Sequence, residues 1–232
     1  MDRLITLGLS DCHIGQSPCP ISDNLIALLT QVAGSVDTLI IAGDLFEVWI
    51  GDDLASDFQH SIADSIAQVQ ARQSYFIPGN RDFLLSERFL ARAKLTSVPT
   101  LEHRGRWYCH GDEYCLDDKE YMAWRAQSRS PEFQAQFLNM AQDARIEMAN
   151  QARATSRDSG QSRQSAIADV TPAAMSDRDW VHGHTHRPAI HRHRHTRCVM
   201  GDWRPDAWVW VECDQYSGLR HWNHGWGQPI PL

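Results

Sequence analysis

Side chains that bind divalent metal ions recur in short clusters along this chain of 232 residues. The clusters are Ser10-Asp11-Cys12-His13, Gly43-Asp44, Gly79-Asn80-Arg81, His110-Gly111-Asp112 and Gly183-His184-Thr185-His186. Carboxylate, imidazole and amide-oxygen ligands together suit Mn²⁺, Fe²⁺ or Zn²⁺ better than Ca²⁺, which takes oxygen ligands only. One carboxylate between two ions can bridge them, and two-metal hydrolases hold their ions about 3.5–4 Å apart. Any single cluster is typical of a turn or a cap, but the ordered set favours a metal-dependent hydrolytic site.

The clusters follow short apolar runs that predict β-strands. Strands at Leu4–Leu9, Thr38–Ala42 and Tyr75–Ile77 alternate with helices at Ile21–Val32, Ala55–Ala71 and Leu84–Ala93. Later strands are predicted near Thr96–Leu101, Trp107–Cys109, Cys198–Met200 and Ala207–Cys213. This alternation predicts an α/β fold with βαβ units and a largely parallel central sheet. Because ligands of such sheets bind beyond the carboxyl ends of strands, the clusters are expected to converge in space.

The alternation stops between residues 119 and 163. This stretch is rich in Ala, Gln, Met and Arg, and we interpret it as a helical cap inserted into a core made of residues 1–118 and 164–232. Residues 154–164 are polar and are predicted to form a loop. The insertion carries seven basic and five acidic residues, so its charge is opposite in sign to that of the whole chain, which is −7. Its larger apolar residues are Trp124, Phe133, Phe137, Leu138, Met140, Ile146 and Met148.

Composition narrows the class of protein further. The acidic balance argues against a general nucleic-acid-binding protein, which would present a basic face. Six cysteines form no Cys-x-x-Cys pair, and the chain opens without a signal-like apolar segment. Both features predict that the protein is located in the reducing cytoplasm. Cys12 is expected to pack in the core, and the alternating tract His191–His195 to form a solvated hairpin.

The ordered set of clusters resembles the calcineurin-like metallophosphoesterase superfamily. The resemblance implies a four-layer α/β/β/α sandwich with two metal ions at the strand ends. It also implies the ligands: Asp11, His13, Asp44 and His186 for one metal, and Asp44, Asn80, His110 and His184 for the other. Asp44 would then bridge the two ions.

Arg81 narrows the resemblance. Most members of the superfamily have His after Gly-Asn, whereas this chain has Gly79-Asn80-Arg81-Asp82-Phe83-Leu84. Arginine has a pKa above about 12, so it cannot act as an acid, but it can clamp phosphate oxygens in pairs. That suits a substrate whose leaving group needs no protonation.

Together with Gly43-Asp44-Leu45-Phe46-Glu47-Val48-Trp49 and Gly201-Asp202-Trp203, this motif resembles the branch that hydrolyses UDP-2,3-diacylglucosamine in bacterial lipid A biosynthesis. The resemblance implies water attack on the α-phosphorus, with two Mn²⁺ ions and with Asp44, Asn80 and Arg81 in catalysis. It implies substrate contacts from Asn80, Arg81, Asp118, Ser156 and His184. It also implies substrate-binding positions at Gly160 and Arg163 in the cap, where that branch usually has Asn and Lys. Arg163 can still meet a phosphate or sugar oxygen, whereas Gly160 removes a hydrogen-bonding side chain.

The lipid part of such a substrate needs an apolar chamber, which the apolar residues of the insertion could supply. Simple packing of the insertion on the core would explain most of them equally well. Arginines of the insertion (Arg125, Arg129, Arg145, Arg153 and Arg157) could meet anionic lipid headgroups. We therefore expect peripheral attachment to the cytoplasmic face of the inner membrane, with no obligate protein partner.

Two alternatives remain at this point. The first is another two-metal phosphoesterase, acting on cyclic nucleotides, phosphoproteins or nucleic acid. The second is a non-catalytic scaffold with the same fold, although such scaffolds typically lose metal ligands and all seven candidates are present here.

Overall fold

The strands form two sheets in a computed structural model that describes residues 3–157 and 168–232, without the side chains of residues 152–157. The first sheet has seven strands. In spatial order they are β12 (Trp226–Pro231), β11 (Tyr216–Trp222), β10 (Ala207–Cys213), β1 (Leu4–Leu9), β2 (Val36–Ile41), β3 (Gln73–Phe76) and β4 (Thr96–Ser97). The second sheet has five, in the order β5 (Leu101–His103), β6 (Arg106–Tyr108), β7 (Trp180–His182), β9 (Thr196–Val199) and β8 (Ala189–Arg192).

The parallel part of the structure is smaller than the sequence predicts. Strands β1 to β4 are parallel, as the βαβ pattern requires. Strand β10 pairs with β1 in the antiparallel sense, and β11 and β12 continue the antiparallel ladder. The expectation of a largely parallel central sheet is therefore correct only for its first half.

Three helices connect the parallel strands, and serine caps shift where two of them begin. They are α1 (Pro20–Val32), α2 (Asp57–Ala67) and α3 (Glu87–Ala93). The hydroxyls of Ser56 and Ser86 accept backbone N–H bonds from the first turns of α2 and α3, so these helices begin later than their apolar patterns predict. Helix α1 begins at Pro20, which suits a first helical position, one residue before the predicted start at Ile21.

The hydrophobic core lies in layers on both sides of the first sheet. Leu25, Leu28 and Leu29 of α1 pack with Leu7 and Leu39 on one face. The other face packs against the second sheet through a cluster that includes Ile40, Tyr108, Val181, Met200 and Trp210. The outer side of the second sheet carries Trp180 and Met175, with short 3₁₀ turns at Asp112–Tyr114 and Pro172–Met175. The four-layer α/β fold is confirmed, with 3₁₀ turns in its fourth layer.

Residues 119–157 form three further helices, α4 (Lys119–Ser128), α5 (Pro131–Leu138) and α6 (Gln142–Arg157). The predicted loop from residue 154 is wrong as far as Arg157, because α6 continues to that residue. Phe137 is buried in the main core, and Phe133, Met140 and Met148 pack against it. No helix within the described residues has the length and apolar character needed to cross a bilayer.

Three arginines of the insertion form hydrogen bonds with residues of the core. Arg145 is only 3% exposed and donates to the Ile50 carbonyl (2.7 Å) and to the Asp53 carboxylate. Arg125 donates to Asp112 (2.8 Å), and Arg129 to the Gly79 carbonyl (2.9 Å). Arg145 is therefore not available to lipid headgroups, whereas Arg125 and Arg129 keep 26% and 21% of their side-chain exposure, and for them the expectation stays a prediction. The side chains of Arg153 and Arg157 lie outside the described residues.

Candidate metal centre

The five clusters meet at one place because each follows the carboxyl end of a strand. The segment after β1 carries Asp11 and His13, the segment after β2 carries Asp44, and the segment after β3 carries Asn80. The segments after β6 and β7 in the second sheet carry His110, and His184 with His186. The structure thus brings together the side chains of all seven residues that the sequence suggested as metal ligands.

Tight backbone turns aim these side chains into the centre. Asp11, His13, Asp44, His184 and His186 all have left-handed backbone, with φ between 49° and 65°. The turns are fixed by backbone bonds between the first two clusters, from Asp11 N–H to the Gly43 carbonyl (3.1 Å) and from His13 N–H to the Asp44 carbonyl (2.9 Å). Cys12, between them, is fully buried in the core as predicted, although a turn rather than strand alternation directs it there.

The first donor set consists of Asp11, His13, His186 and one oxygen of Asp44. His13 Nε2 lies 3.1 Å from His186 Nε2 and 3.6 Å from Asp44 Oδ2. His186 Nε2 lies 3.6 Å from Asp11 Oδ1. Ligands held about 2.1 Å from one ion lie about 3–3.5 Å from each other, so these separations fit a shared cation.

The second donor set consists of Asn80, His110, His184 and the other oxygen of Asp44. Asn80 Oδ1 lies 3.1 Å from both His110 Nε2 and His184 Nδ1. His110 Nε2 lies 3.6 Å from Asp44 Oδ1. Asp44 therefore turns Oδ2 to one donor set and Oδ1 to the other, an arrangement in which one carboxylate can serve two cations.

Glycine allows the loops to approach Asp44 this closely. A Cβ atom at Gly79 would lie 2.2 Å from Asp44 Oδ1, and one at Gly43 would lie 2.5 Å from His110 Nδ1. Gly43 also has a φ of 80°, which other residues adopt only with strain. Both glycines are therefore required for the second donor set to form.

The carboxylate of Asp82 supports the loops that carry the candidate metal ligands Asp44 and Asn80, and the sequence alone assigned it no role. It is fully buried and accepts backbone N–H bonds from Asp44 (3.2 Å), Leu45 (2.7 Å) and Gly79 (3.0 Å). It thereby ties the Asp44 loop to the Asn80 loop. The only sequence signal was its position in the Gly-Asn-Arg-Asp motif.

The centre has a negative electrostatic potential. Burial alone would lower the pKa of His110, but the carboxylates of Asp44, Asp11 and Asp112 outweigh it and raise that pKa to about 9. Burial and the neighbouring His110 lower the pKa of His184 to about 4. A cluster of buried carboxylates that attracts positive charge, together with imidazole nitrogens, is suited to divalent cations.

The other residues suggested for the site are only partly placed by the structure. Arg81 is half-buried beside Asp44, to whose Oδ1 its backbone N–H donates (2.9 Å). Asp118 caps α4 by accepting the Tyr121 N–H (2.9 Å). Ser156 lies on α6 without a described side chain, and Gly160 and Arg163 lie outside the described residues.

A second buried carboxylate, Asp112, joins the insertion to the centre and was not singled out from the sequence. It accepts from the Tyr121 hydroxyl (2.6 Å) and from Arg125 Nε (2.8 Å), both on α4. The Tyr121 ring lies 5.9 Å from that of His184, centroid to centroid. The motif His110-Gly111-Asp112 was visible, but its partners on α4 were not, because their pairing is a property of the folded chain.

Two packed sheets with paired donor sets at their strand ends define a hydrolase of the two-metal class. The model of the family described as "Calcineurin-like phosphoesterase" matches residues 6–210. The chain belongs to this family. Vacuolar Protein Sorting 29 from Cryptosporidium parvum shares the fold, with a TM-score of 0.50 at 10% identity over the full length of both chains.

Sequence relatives match over nearly the whole chain. A "UDP-2,3-diacylglucosamine hydrolase" from Chromohalobacter salexigens is 39% identical, with 94% of this chain and 97% of the relative covered. A protein of the same name from Xanthomonas axonopodis pv. citri is 41% identical, with 86% and 92% covered.

Proposed function

We propose that the protein hydrolyses UDP-2,3-diacylglucosamine at its diphosphate bond. The products are UMP and 2,3-diacylglucosamine 1-phosphate, as in lipid A biosynthesis. Two observations together carry the proposal. The structure contains two donor sets that share Asp44, and the chain is about 40% identical to hydrolases named for this substrate. Other two-metal phosphoesterase activities, and a scaffold without activity, are not favoured by these relatives.

We further propose that the two cations are Mn²⁺. Each donor set mixes nitrogen with oxygen ligands, which Mn²⁺ accepts and Ca²⁺ does not. When bound there, two divalent ions would supply an activated water and would neutralise charge on the phosphoryl oxygens. We assign ligand roles to Asp11, His13, Asp44 and His186 for one ion, and to Asp44, Asn80, His110 and His184 for the other.

The protein's own contribution next to the metals is positioning of the diphosphate. Arg81 follows the ligand Asn80, and its guanidinium offers paired N–H donors that match two phosphate oxygens. Its carbonyl accepts the Trp49 N–H (2.8 Å), so its backbone is fixed at both ends. The leaving group, 2,3-diacylglucosamine 1-phosphate, departs as a phosphate, and UMP is also stabilised as an anion. No residue is therefore required at this position to protonate the leaving group.

The decisive test is an assay of the purified protein with UDP-2,3-diacylglucosamine. After removal of metal, we expect no turnover, and we expect addition of Mn²⁺ to restore formation of UMP because both donor sets need a cation. Mg²⁺, Zn²⁺ and Ca²⁺ in parallel samples test the choice of ion, and a cyclic nucleotide tests substrate class. UMP formation that persists with excess chelator would contradict the two-metal centre, and turnover of the cyclic nucleotide alone would contradict the proposed substrate.

We also propose that the insertion contacts the acyl chains or the cytoplasmic face of the inner membrane. Of the five large hydrophobic side chains exposed among the described residues, four lie in or next to the insertion. They are Leu116, Trp124, Leu138 and Ile146, each between 38% and 42% exposed. Since the three described arginines of the insertion are already hydrogen-bonded to the core, this attachment would depend on apolar contact more than on charge.

Vesicle binding tests this attachment. We expect the protein to sediment with vesicles of anionic bacterial phospholipid, and replacement of Trp124, Leu138 and Ile146 by serine to reduce the bound fraction severalfold, because each change removes apolar area from the contact. Leu232→Ser is the matched control, because Leu232 is also 40% exposed but lies outside the insertion. Equal binding of all variants, or no binding by the unchanged protein at low salt, would contradict the proposal.

A further inference from the structure

Two carboxylates stand behind the histidines of the first donor set. His13 Nδ1 lies 3.3 Å from Glu47 Oε2, and His186 Nδ1 lies 3.2 Å from Asp202 Oδ1. The opposite nitrogens of these rings face each other across the centre, with Nε2 atoms 3.1 Å apart. Each imidazole thus lies between a carboxylate on its outer side and the donor set on its inner side.

The second donor set is anchored in a different way. His110 Nδ1 lies 2.8 Å from the Ala42 carbonyl, which is a neutral acceptor. His184 turns Nδ1 itself toward the centre, 3.1 Å from Asn80 Oδ1. The two donor sets therefore differ in the charge that supports their histidines.

A backbone hydrogen bond fixes the position of Glu47. Its N–H donates to the Ile14 carbonyl (2.9 Å), which extends the pairing of the segments after β1 and β2. Its side chain is 19% exposed. His13 Nδ1 forms no hydrogen bond within the described residues, so the Glu47 carboxylate acts on this nitrogen through its charge at 3.3 Å rather than as a hydrogen-bond acceptor.

The turn after β9 fixes the position of Asp202. Gly201 before it has a φ of 105°, and a Cβ atom there would lie 2.5 Å from Asp11 Oδ2. The backbone of Gly201 exchanges hydrogen bonds with Trp208 (2.8 and 3.3 Å). Arg204 Nε donates to Asp202 Oδ1 (2.7 Å) and holds the carboxylate, which is 12% exposed, against His186.

We propose that Glu47 and Asp202 are positioning residues for the first metal site. Asp202 accepts the Nδ1 proton of His186, which fixes the tautomer whose Nε2 presents its lone pair inward. Glu47 lies 3.3 Å from His13 Nδ1 without a hydrogen bond, and its negative charge favours the same tautomer of His13. Each carboxylate thereby makes the inner nitrogen a stronger ligand for a divalent cation. The inference rests on the proposed two-metal function. Its distinct consequence is that the two cations are held unequally and that loss of either carboxylate weakens only one of them.

The test is a calorimetric titration of the metal-free protein with Mn²⁺. We expect the unchanged protein to bind two equivalents, and Glu47→Ala or Asp202→Ala to weaken one of them about 10–100-fold while the other is retained. Asp202→Asn keeps an acceptor oxygen and loses the charge, so we expect a smaller loss than for Asp202→Ala. Glu47→Gln removes the charge through which Glu47 acts on His13, so we expect a loss similar to that of Glu47→Ala. Asp206→Ala is the matched control, because it removes a carboxylate 2.7 Å from Nε2 of His221, a histidine in neither donor set, and it is expected to leave both equivalents unchanged.

The melting temperature of each metal-free variant checks that the fold is retained. Two unchanged equivalents in all four variants would overturn the inference while leaving the two-metal centre intact. Equal weakening of both equivalents would also overturn it. Fewer than two equivalents in the unchanged protein would instead contradict the two-metal centre itself, and the inference with it.

Discussion

Asp44→Asn is expected to lower kcat/KM for UDP-2,3-diacylglucosamine by about a thousandfold or more, and to leave one bound metal per chain instead of two. In the structure, Asp44 Oδ1 accepts the Arg81 N–H and faces His110, while Oδ2 faces His13. Asparagine has one oxygen, and the Arg81 N–H will hold that oxygen on the second donor set. The amide nitrogen then faces His13, where it cannot bind a cation.

The size of the expected loss follows from the role of the ions. A metal ion contributes several kcal/mol to transition-state stabilisation, and about 4 kcal/mol corresponds to a thousandfold change in rate. Bound metal is measured by elemental analysis on the same samples as the kinetics. Asp64→Asn, in an exposed pair with Arg92 on the surface, is the control and is expected to change neither quantity. Two metals per chain with activity within tenfold of the unchanged protein would contradict the bridging role.

Arg81→Ala is expected to lower kcat/KM about 100- to 1,000-fold, while both metals remain bound. A donor aimed at charge that develops in the transition state is typically worth this much. The scaffold is expected to survive, because the contacts that fix Arg81 to Asp44 and Trp49 are made by its backbone. Arg81→Lys restores the charge but not the paired donors, so we expect it to recover only part of the loss.

Two measurements separate this role from a structural one. The metal content of Arg81→Ala should match that of the unchanged protein, and its melting temperature should change little. Arg88→Ala, which truncates an exposed arginine on α3, is the matched control and is expected to retain full activity. Loss of a metal from Arg81→Ala, or an unchanged kcat/KM, would show that the guanidinium does not act on the substrate.

Local sequence patterns predicted the regular elements best where one face is deeply buried. Strands β1 and β10 have the predicted bounds, since Leu4–Leu9 and Ala207–Cys213 are dense in apolar residues. Strands β11 and β12 were not predicted, because Gly218, Pro229 and several polar residues interrupt their apolar pattern. The pairing of β11 with β10, and of β12 with β11, is set by register along the sheet, which a local pattern does not contain.

The ligand residues were easier to predict from the sequence than the groups that support them. Short motifs after apolar runs mark Asp11, Asp44 and His110 as candidates because convergence of strand ends is a general rule of α/β sheets. Asp82, and the contacts of Asp112 with α4, depend on backbone N–H groups and on side chains brought together from distant segments. A buried carboxylate leaves no pattern of its own along the chain.

The left-handed backbone at five candidate ligands lowers the stability of the folded protein, and this affects how the protein tolerates heat and mutation. At about 1 kcal/mol for each such residue, the turns consume several kcal/mol of a total stability that is typically only 5–15 kcal/mol. A ligand that binds only the native state returns stability according to its concentration. The supply of divalent cation in the cell would then set how many destabilising substitutions the chain can accumulate, so the metals act on its evolution as well as on its chemistry.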